Sequence, residues 1–213
     1  MLDKRGFDLW ADGYDKDVEI TDEKDTYPFA GYREILGSIY ETVMKRPGSA
    51  VLDIGFGTGT LSAKLYENGC TIYGQDFSEK MIETASAKMP GAHLYQGDFS
   101  QGLVGPLRKQ NYDFIVATYS LHHLNDEWKA AFLNELLDLL KEDGMILIGD
   151  VAFRTRAELN ACREEAGDEW DEEEVYFVVD ELKEIFPDLS FTPYSYCAGI
   201  LSLTGNRSEE RPL

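Results

Sequence analysis

Between residues 50 and 150, short apolar runs alternate with longer stretches in which apolar positions recur every three or four residues. The runs Ala50-Val51-Leu52-Asp53-Ile54, Thr71-Ile72-Tyr73-Gly74-Gln75, 93–96, Phe114-Ile115-Val116-Ala117-Thr118 and Met145-Ile146-Leu147-Ile148 predict five strands. Helices are expected between them. One covers 60–67, with Leu61 and Leu65 on one face, and stops at Asn68-Gly69. A second is N-capped by Ser78, carries Met81, Ile82 and Ala85, and ends before Pro90. A third is capped by Asn125 or Asp126 and bears Phe132, Leu133, Leu136, Leu137 and Leu140, with Gly144 expected at its C′ position. Trp128 is expected to pack with those leucines. Ahead of the first strand, Tyr32, Ile35, Leu36, Ile39, Tyr40 and Val43 mark an amphipathic helix over 31–45 that Pro47-Gly48 terminates.

After Asp150 the pattern changes. A charged helix is expected over 155–165, then the acidic run 168–174 as a solvated helix start, then a helix over 178–186 halted by Pro187. Two β-rich runs follow, 189–196 and 199–204, and so few residues separate them that only an antiparallel hairpin fits. Alternating strands and helices with apolar strand cores predict an α/β fold, a Rossmann-like doubly wound sheet. The sheet is mostly parallel, with an antiparallel C-terminal strand. The 213 residues are expected to form a single domain: a helical N-terminal lid (1–46), the core (47–205) and a frayed tail (206–213).

Charge narrows the partners. Forty acids against 20 bases give a formal net charge of −20, and no Lys/Arg-rich stretch offers a compensating patch. Such a surface repels nucleic-acid backbones and anionic membranes, leaving small molecules or neutral and basic proteins. No apolar run is long enough to span a bilayer, and acids interrupt the N-terminus at once, so a cytoplasmic protein is expected. Cys70, Cys162 and Cys197 are widely spaced, with no CxxC or Cys/His cluster, so buried reduced thiols are expected and no metal.

Ligands of open α/β sheets bind beyond the carboxyl ends of the strands, where the strand order reverses. There the first strand runs into Gly55-Phe56-Gly57-Thr58-Gly59, a turn that brings backbone N–H groups close to a ligand. Its GxGxG spacing departs from the dinucleotide fingerprint GxGxxG, which weakens an NAD reading without excluding it. Asp76 follows the second strand, placed to accept both hydroxyls of a ribose. Asp98 follows the third and suits an adenine amino group, with Phe99 or Phe77 as a stacking face. Beyond the fourth strand lies Tyr119-Ser120-Leu121-His122-His123-Leu124.

The segments 51–59, Gly74-Gln75-Asp76-Phe77-Ser78-Glu79-Lys80-Met81, Gln96-Gly97-Asp98-Phe99 and 112–124 resemble successive motifs of class I SAM-dependent methyltransferases, in order and spacing, over roughly residues 45–150. The start, Phe7-Asp8-Leu9-Trp10-Ala11-Asp12-Gly13-Tyr14-Asp15, is similar to the N-terminal segment of small-molecule members. With Tyr32 to Leu36 it resembles a group of uncharacterised bacterial methyltransferases. The resemblance implies S-adenosyl-L-methionine as cofactor, with S-adenosylhomocysteine as product. Gly55 and Gly57 would pack against its methionine moiety, and Asp53 would order the loop and the amino group. Asp76 would hold the ribose, and Asp98 and Phe99 would frame the adenine. The Tyr119 backbone would lie beside the sulfonium, and Tyr14 would close over it.

Direct in-line transfer needs alignment above all, and a general base only where the acceptor keeps its proton. His122 and His123 are the candidate catalytic bases; His93, within a strand, is expected to be structural. Asp150, at the end of the fifth strand, is expected to cap or turn, although it could face a substrate or a metal. The acidic run 168–174 could rim a lid selecting cationic acceptors. Neither an Asn/Asp-Pro-Pro-Tyr sequence nor a Pro-Cys nucleophile is present, which favours a small metabolite over a nucleobase as acceptor. A silent SAM-binding or protein-interaction module and an NAD-dependent oxidoreductase remain the alternatives.

Overall fold

A computed structural model describes residues 26–205. The expected Tyr14 position and the tail 206–213 lie outside them. In chain order the elements are α1 (Tyr32–Met44), β1 (Ala50–Ile54), α2 (Thr60–Glu67), β2 (Thr71–Asp76), α3 (Glu79–Lys88), β3 (His93–Gln96) and β4 (Tyr112–Thr118). There follow α4 (Asp126–Asp138), β5 (Leu140–Phe153), α5 (Arg156–Ala166), β6 (Phe177–Val178), α6 (Val179–Ile185), β7 (Ser190–Pro193) and β8 (Ala198–Thr204).

The sheet order is β3-β2-β1-β4-β5-β8-β7, with β6 added beside the end of β5. β1, β2, β3, β4 and β5 pair in parallel, and β8 runs antiparallel to both β5 and β7. This is the Rossmann-like sheet with its one reversed C-terminal strand. Strand pleating sorts the core. Val51, Phe114, Val116 and Leu147 face α1, α2, α3 and α5, while Leu52, Ile54, Ile115, Ala117, Ile146 and Ile148 face α4 and α6.

Helix α1 lies against the sheet and fully buries Ile35, Ile39 and Val43. It approaches β5 so closely that a side chain at Gly149 would collide with Ile35. Ahead of α1, Tyr27, Pro28 and Phe29 line the cavity over the strand ends. The predicted caps Ser78 and Asn125 form, each accepting the N–H three residues on, of Met81 (3.2 Å) and Trp128 (2.9 Å).

Four expectations are corrected. Gly144 is not the C′ residue of α4. That helix stops at Asp138, because the chain then joins Tyr112 of β4, whose N–H donates to the Leu139 carbonyl at 2.9 Å. Trp128 is 54% exposed, lying off the face through which Phe132, Leu133, Leu136 and Leu137 pack. The acidic run starts no α-helix; after a short 3-10 turn, Gly167–Glu169, it crosses the strand ends as an irregular segment. Asp150 lies inside β5, which continues to Phe153 because β8 pairs along it as far as Val151. The two-residue β6 escapes the sequence pattern altogether.

Candidate active site

A cavity of about 450 Å³ opens over the carboxyl ends of β1, β2 and β4, at the reversal of strand order between β1 and β4. One half of it is built by the glycine loop. Gly55, Gly57 and Gly59 all hold positive φ, at 68°, 55° and 78°. A Cβ on Gly55 would sit 2.5 Å from that of Ser120, so the missing side chain lets the β1 and β4 loops meet. Ser120 Oγ donates to the Ile54 carbonyl at 2.8 Å and locks that junction. Asp76 draws the loop toward β2: its Oδ2 accepts the Gly57 N–H at 2.8 Å, and its Oδ1 accepts the Ser78 N–H at 2.9 Å.

Asp53, at 1% exposure, is held from below by the Ser62 hydroxyl, which donates to Oδ2. Its Oδ1 is buried and has no hydrogen-bond partner among the described residues. Burial, reinforced by the Asp76 charge and only partly opposed by Ser62, pushes the Asp53 carboxyl up to about 7. A buried acceptor left open beside a cavity marks the place of an absent donor. Asp98, Phe99 and Phe77 line the same half. Asp98 also caps the turn after β3, its Oδ1 accepting the Ser100 N–H at 2.8 Å.

The other half is aromatic and acidic. Tyr119 sits at φ 50° with its ring 5.2 Å from those of both Phe29 and Tyr32. Tyr27 stacks on Trp170 at 5.2 Å, and its hydroxyl hydrogen-bonds that of Tyr176. Burial, the largest influence, pushes the Tyr27 phenol up to about 12. Glu169, Asp171 and Glu174 line this half, and no Lys or Arg does among the described residues.

His122 and His123 form its floor, ring centroids 4.3 Å apart. His122 is 6% exposed, and its Nδ1 lies 2.7 Å from Oδ1 of the fully buried Asp150. Its Nε2 points to Glu174 Oε1 at 3.4 Å. Burial opposes the charged imidazolium of His122, but Asp150 and Glu174 outweigh it and set the pKa above the ordinary value. His123 is pulled down to about 4, by burial first and by its neighbour second.

Residues 51–144 match the methyltransferase domain family. An uncharacterised methyltransferase of Geobacillus sp. (strain WCH70) is 39% identical over 194 residues, covering 87% of this chain and 88% of the relative. The chain belongs to this methyltransferase family. The fold is shared with magnesium protoporphyrin IX methyltransferase of Synechocystis PCC 6803, solved with bound SAH (TM-score 0.64, 22% identity, 82% and 83% of the two chains). It is shared as well with a SAM-dependent methyltransferase from Thermotoga maritima, a possible histamine N-methyltransferase (TM-score 0.66, 18% identity, 94% and 98%).

In this methyltransferase the cavity brings together every sequence-derived candidate within the described residues: Asp53, Gly55, Gly57, Asp76, Phe77, Asp98, Phe99, Tyr119, His122 and His123. His93 stays apart on the edge strand, its ring 4.8 Å from Tyr73. Sequence reasoning missed Tyr27, which finishes the aromatic half with Tyr176, and gave Glu174 no partner. It also missed Lys129, 1% exposed, whose ammonium donates to the Val175 carbonyl and so anchors the acidic segment from beneath. A lysine on the apolar face of a predicted helix was the available signal. No helix among the described residues is long and apolar enough to cross a membrane.

Proposed function

We propose that this methyltransferase uses S-adenosyl-L-methionine and passes its methyl group in line to a small-molecule acceptor held in the aromatic half of the cavity. The observation that carries this reading is Asp53 Oδ1, a buried acceptor beside the glycine loop with no donor among the described residues. The ammonium of the cofactor's methionine moiety is a donor of the right charge. The ribose hydroxyls fall to Asp76, and the adenine to Asp98 with the rings of Phe77 and Phe99. Gly55 and Gly57 expose main chain to the methionine moiety. When bound, SAM supplies an electrophilic methyl on sulfur and leaves as S-adenosylhomocysteine.

The chain's own contribution is alignment and the exclusion of water. Tyr119, wedged by Phe29 and Tyr32, sets the wall between the two halves. Where the acceptor carries a proton, His122 and His123 on the cavity floor are the candidate bases. The cavity volume fits a metabolite. The net charge of −20 disfavours nucleic acid. Three buried free cysteines accord with a reducing cytosol.

Calorimetric titration with S-adenosylhomocysteine tests the cofactor assignment. Binding is expected, and Asp76→Ala is expected to weaken it by roughly 1–3 kcal/mol. Unchanged affinity refutes the ribose role, and binding of NAD(H) in place of S-adenosylhomocysteine overturns the reading. A metabolite panel scored by S-adenosylhomocysteine release, with tRNA and DNA included, identifies the acceptor class.

A further inference from the structure

The floor of the aromatic half has the makings of a metal centre. One nitrogen of His122, one of His123 and a Glu174 carboxylate oxygen lie within 4.8 Å of one another. The three residues come from two segments fastened together by the Val175 N–H, which donates to the His122 carbonyl at 2.9 Å. We propose that His122, His123 and Glu174 form a three-ligand site for a divalent transition-metal ion, zinc being the best match to two imidazoles and one carboxylate.

Three observations support the site. The first is spacing. His122 Nε2 and Glu174 Oε1 stand 3.4 Å apart. Two ligands at bond lengths of about 2.0–2.1 Å around a tetrahedral ion are separated by roughly 3.4 Å. A charge-assisted hydrogen bond between the same atoms would close to about 2.7–2.9 Å. His123 and Glu174 are only partly buried, and a shift of at most about 1.4 Å brings the widest pair to that separation.

The second observation is orientation. Asp150 Oδ1 holds His122 Nδ1 at 2.7 Å, the carboxylate–histidine arrangement that turns the other ring nitrogen toward a metal. Val151 N–H, donating to the same oxygen at 2.8 Å, fixes Asp150 in turn. Glu174 is also oriented: the Tyr176 hydroxyl donates to its Oε2 at 2.6 Å, leaving Oε1 for the ion. The third is the open position. All three residues line the cavity, so a fourth ligand enters from the side of the proposed acceptor. Three protein ligands with one open position are the pattern of catalytic zinc sites. The ion-binding claim stands independently of methyl transfer; only the reading that a sulfur or oxygen atom of the acceptor fills the fourth position rests on the proposed function. An imidazole nitrogen that ligates an ion cannot also take the acceptor's proton, so the two uses of His123 exclude each other.

The test is equilibrium dialysis of the tag-free, chelator-treated full chain against zinc, with metal content measured and S-adenosylhomocysteine titrated in parallel. One zinc ion per chain is expected. His123→Ala and Glu174→Gln should each weaken binding at least tenfold, and Asp150→Asn by about 10- to 100-fold through the lost orientation of His122. His93→Ala, remote from the cavity, should bind as the wild type does. Cobalt added to the wild-type chain should give the strong visible bands of a four-coordinate ion, a readout that requires no variant to fold. Absence of zinc binding with S-adenosylhomocysteine still bound overturns the metal site and leaves the methyltransferase reading intact. Zinc affinity unchanged in the His123→Ala/Glu174→Gln double variant overturns it equally, since the ion then binds elsewhere.

Discussion

The two halves of the cavity are built by different means. The glycine-loop half draws its polar groups from consecutive strand ends, and main-chain geometry shapes it: three positive-φ glycines, a carboxylate on two backbone N–H groups and a buried Asp53. The aromatic half is assembled from side chains far apart in sequence, Tyr27, Tyr119, His122, Asp150, Glu174 and Tyr176, held by ring contacts and hydroxyl–carboxylate bonds. A ligand common to many relatives can be recognised by backbone, which any sequence of the right turn geometry reproduces. A particular acceptor has to be met by particular side chains. The first half is therefore the place to look for the cofactor and the second for specificity.

Substitutions on the two sides should separate in kind. The largest effect is expected for Gly55→Val. Its Cβ would lie 2.5 Å from that of Ser120 at a φ of 68°, so a stability loss of about 3 kcal/mol or more should appear in denaturant unfolding, with cofactor binding lost as well. Asp53→Asn should raise the S-adenosylhomocysteine dissociation constant on the order of 10- to 100-fold by removing the charge proposed to face the cofactor's ammonium. Its pH dependence has a definite sign. Burial lifts the Asp53 carboxyl to about 7, so the group is ionised above that pH and neutral below it. Wild-type affinity should then fall by up to about tenfold per unit from pH 7 to pH 5, while the Asn variant shows a flat profile.

On the aromatic side, Trp170→Ala removes the stack on Tyr27 and the edge contact with Tyr176, whose centroid is 4.9 Å away. A loss of about 1–3 kcal/mol in thermal or denaturant stability is expected, with S-adenosylhomocysteine affinity within about twofold of wild type. A large affinity loss there would dissolve the division between the halves. Trp128→Ala, on the exposed face of α4, should change stability by no more than about 0.5 kcal/mol and leave cofactor binding alone.

The residues of the first half are readable from the chain because they sit at fixed offsets from strand ends, and strand ends follow from local hydrophobic pattern. Asp53, Gly55, Gly57, Asp76 and Asp98 all appear in the cavity for that reason. Trp128 shows the limit of the same method. An aromatic within a helix carrying leucines looks internal, but only the angular position of each residue against the sheet decides which face is buried. Glu174 shows it again. Within an acidic run nothing local distinguishes the one carboxylate that turns inward beside His122.

By itself, then, the sequence determined the order of strands and helices apart from β6 and the acidic segment, the caps Ser78 and Asn125, the reversed last strand and the polar positions of the glycine-loop half. All of these can be read from patterns between residues close in the chain, the reversed strand from the short spacing of its hairpin. Tertiary structure alone decided that Tyr27 meets Trp170 and Tyr176, that Lys129 is buried beneath Val175, and that His122 stands between Asp150 and Glu174. Those contacts join segments separated by tens of residues to more than a hundred. Their partners are chosen by packing over the sheet, and no local periodicity encodes that choice.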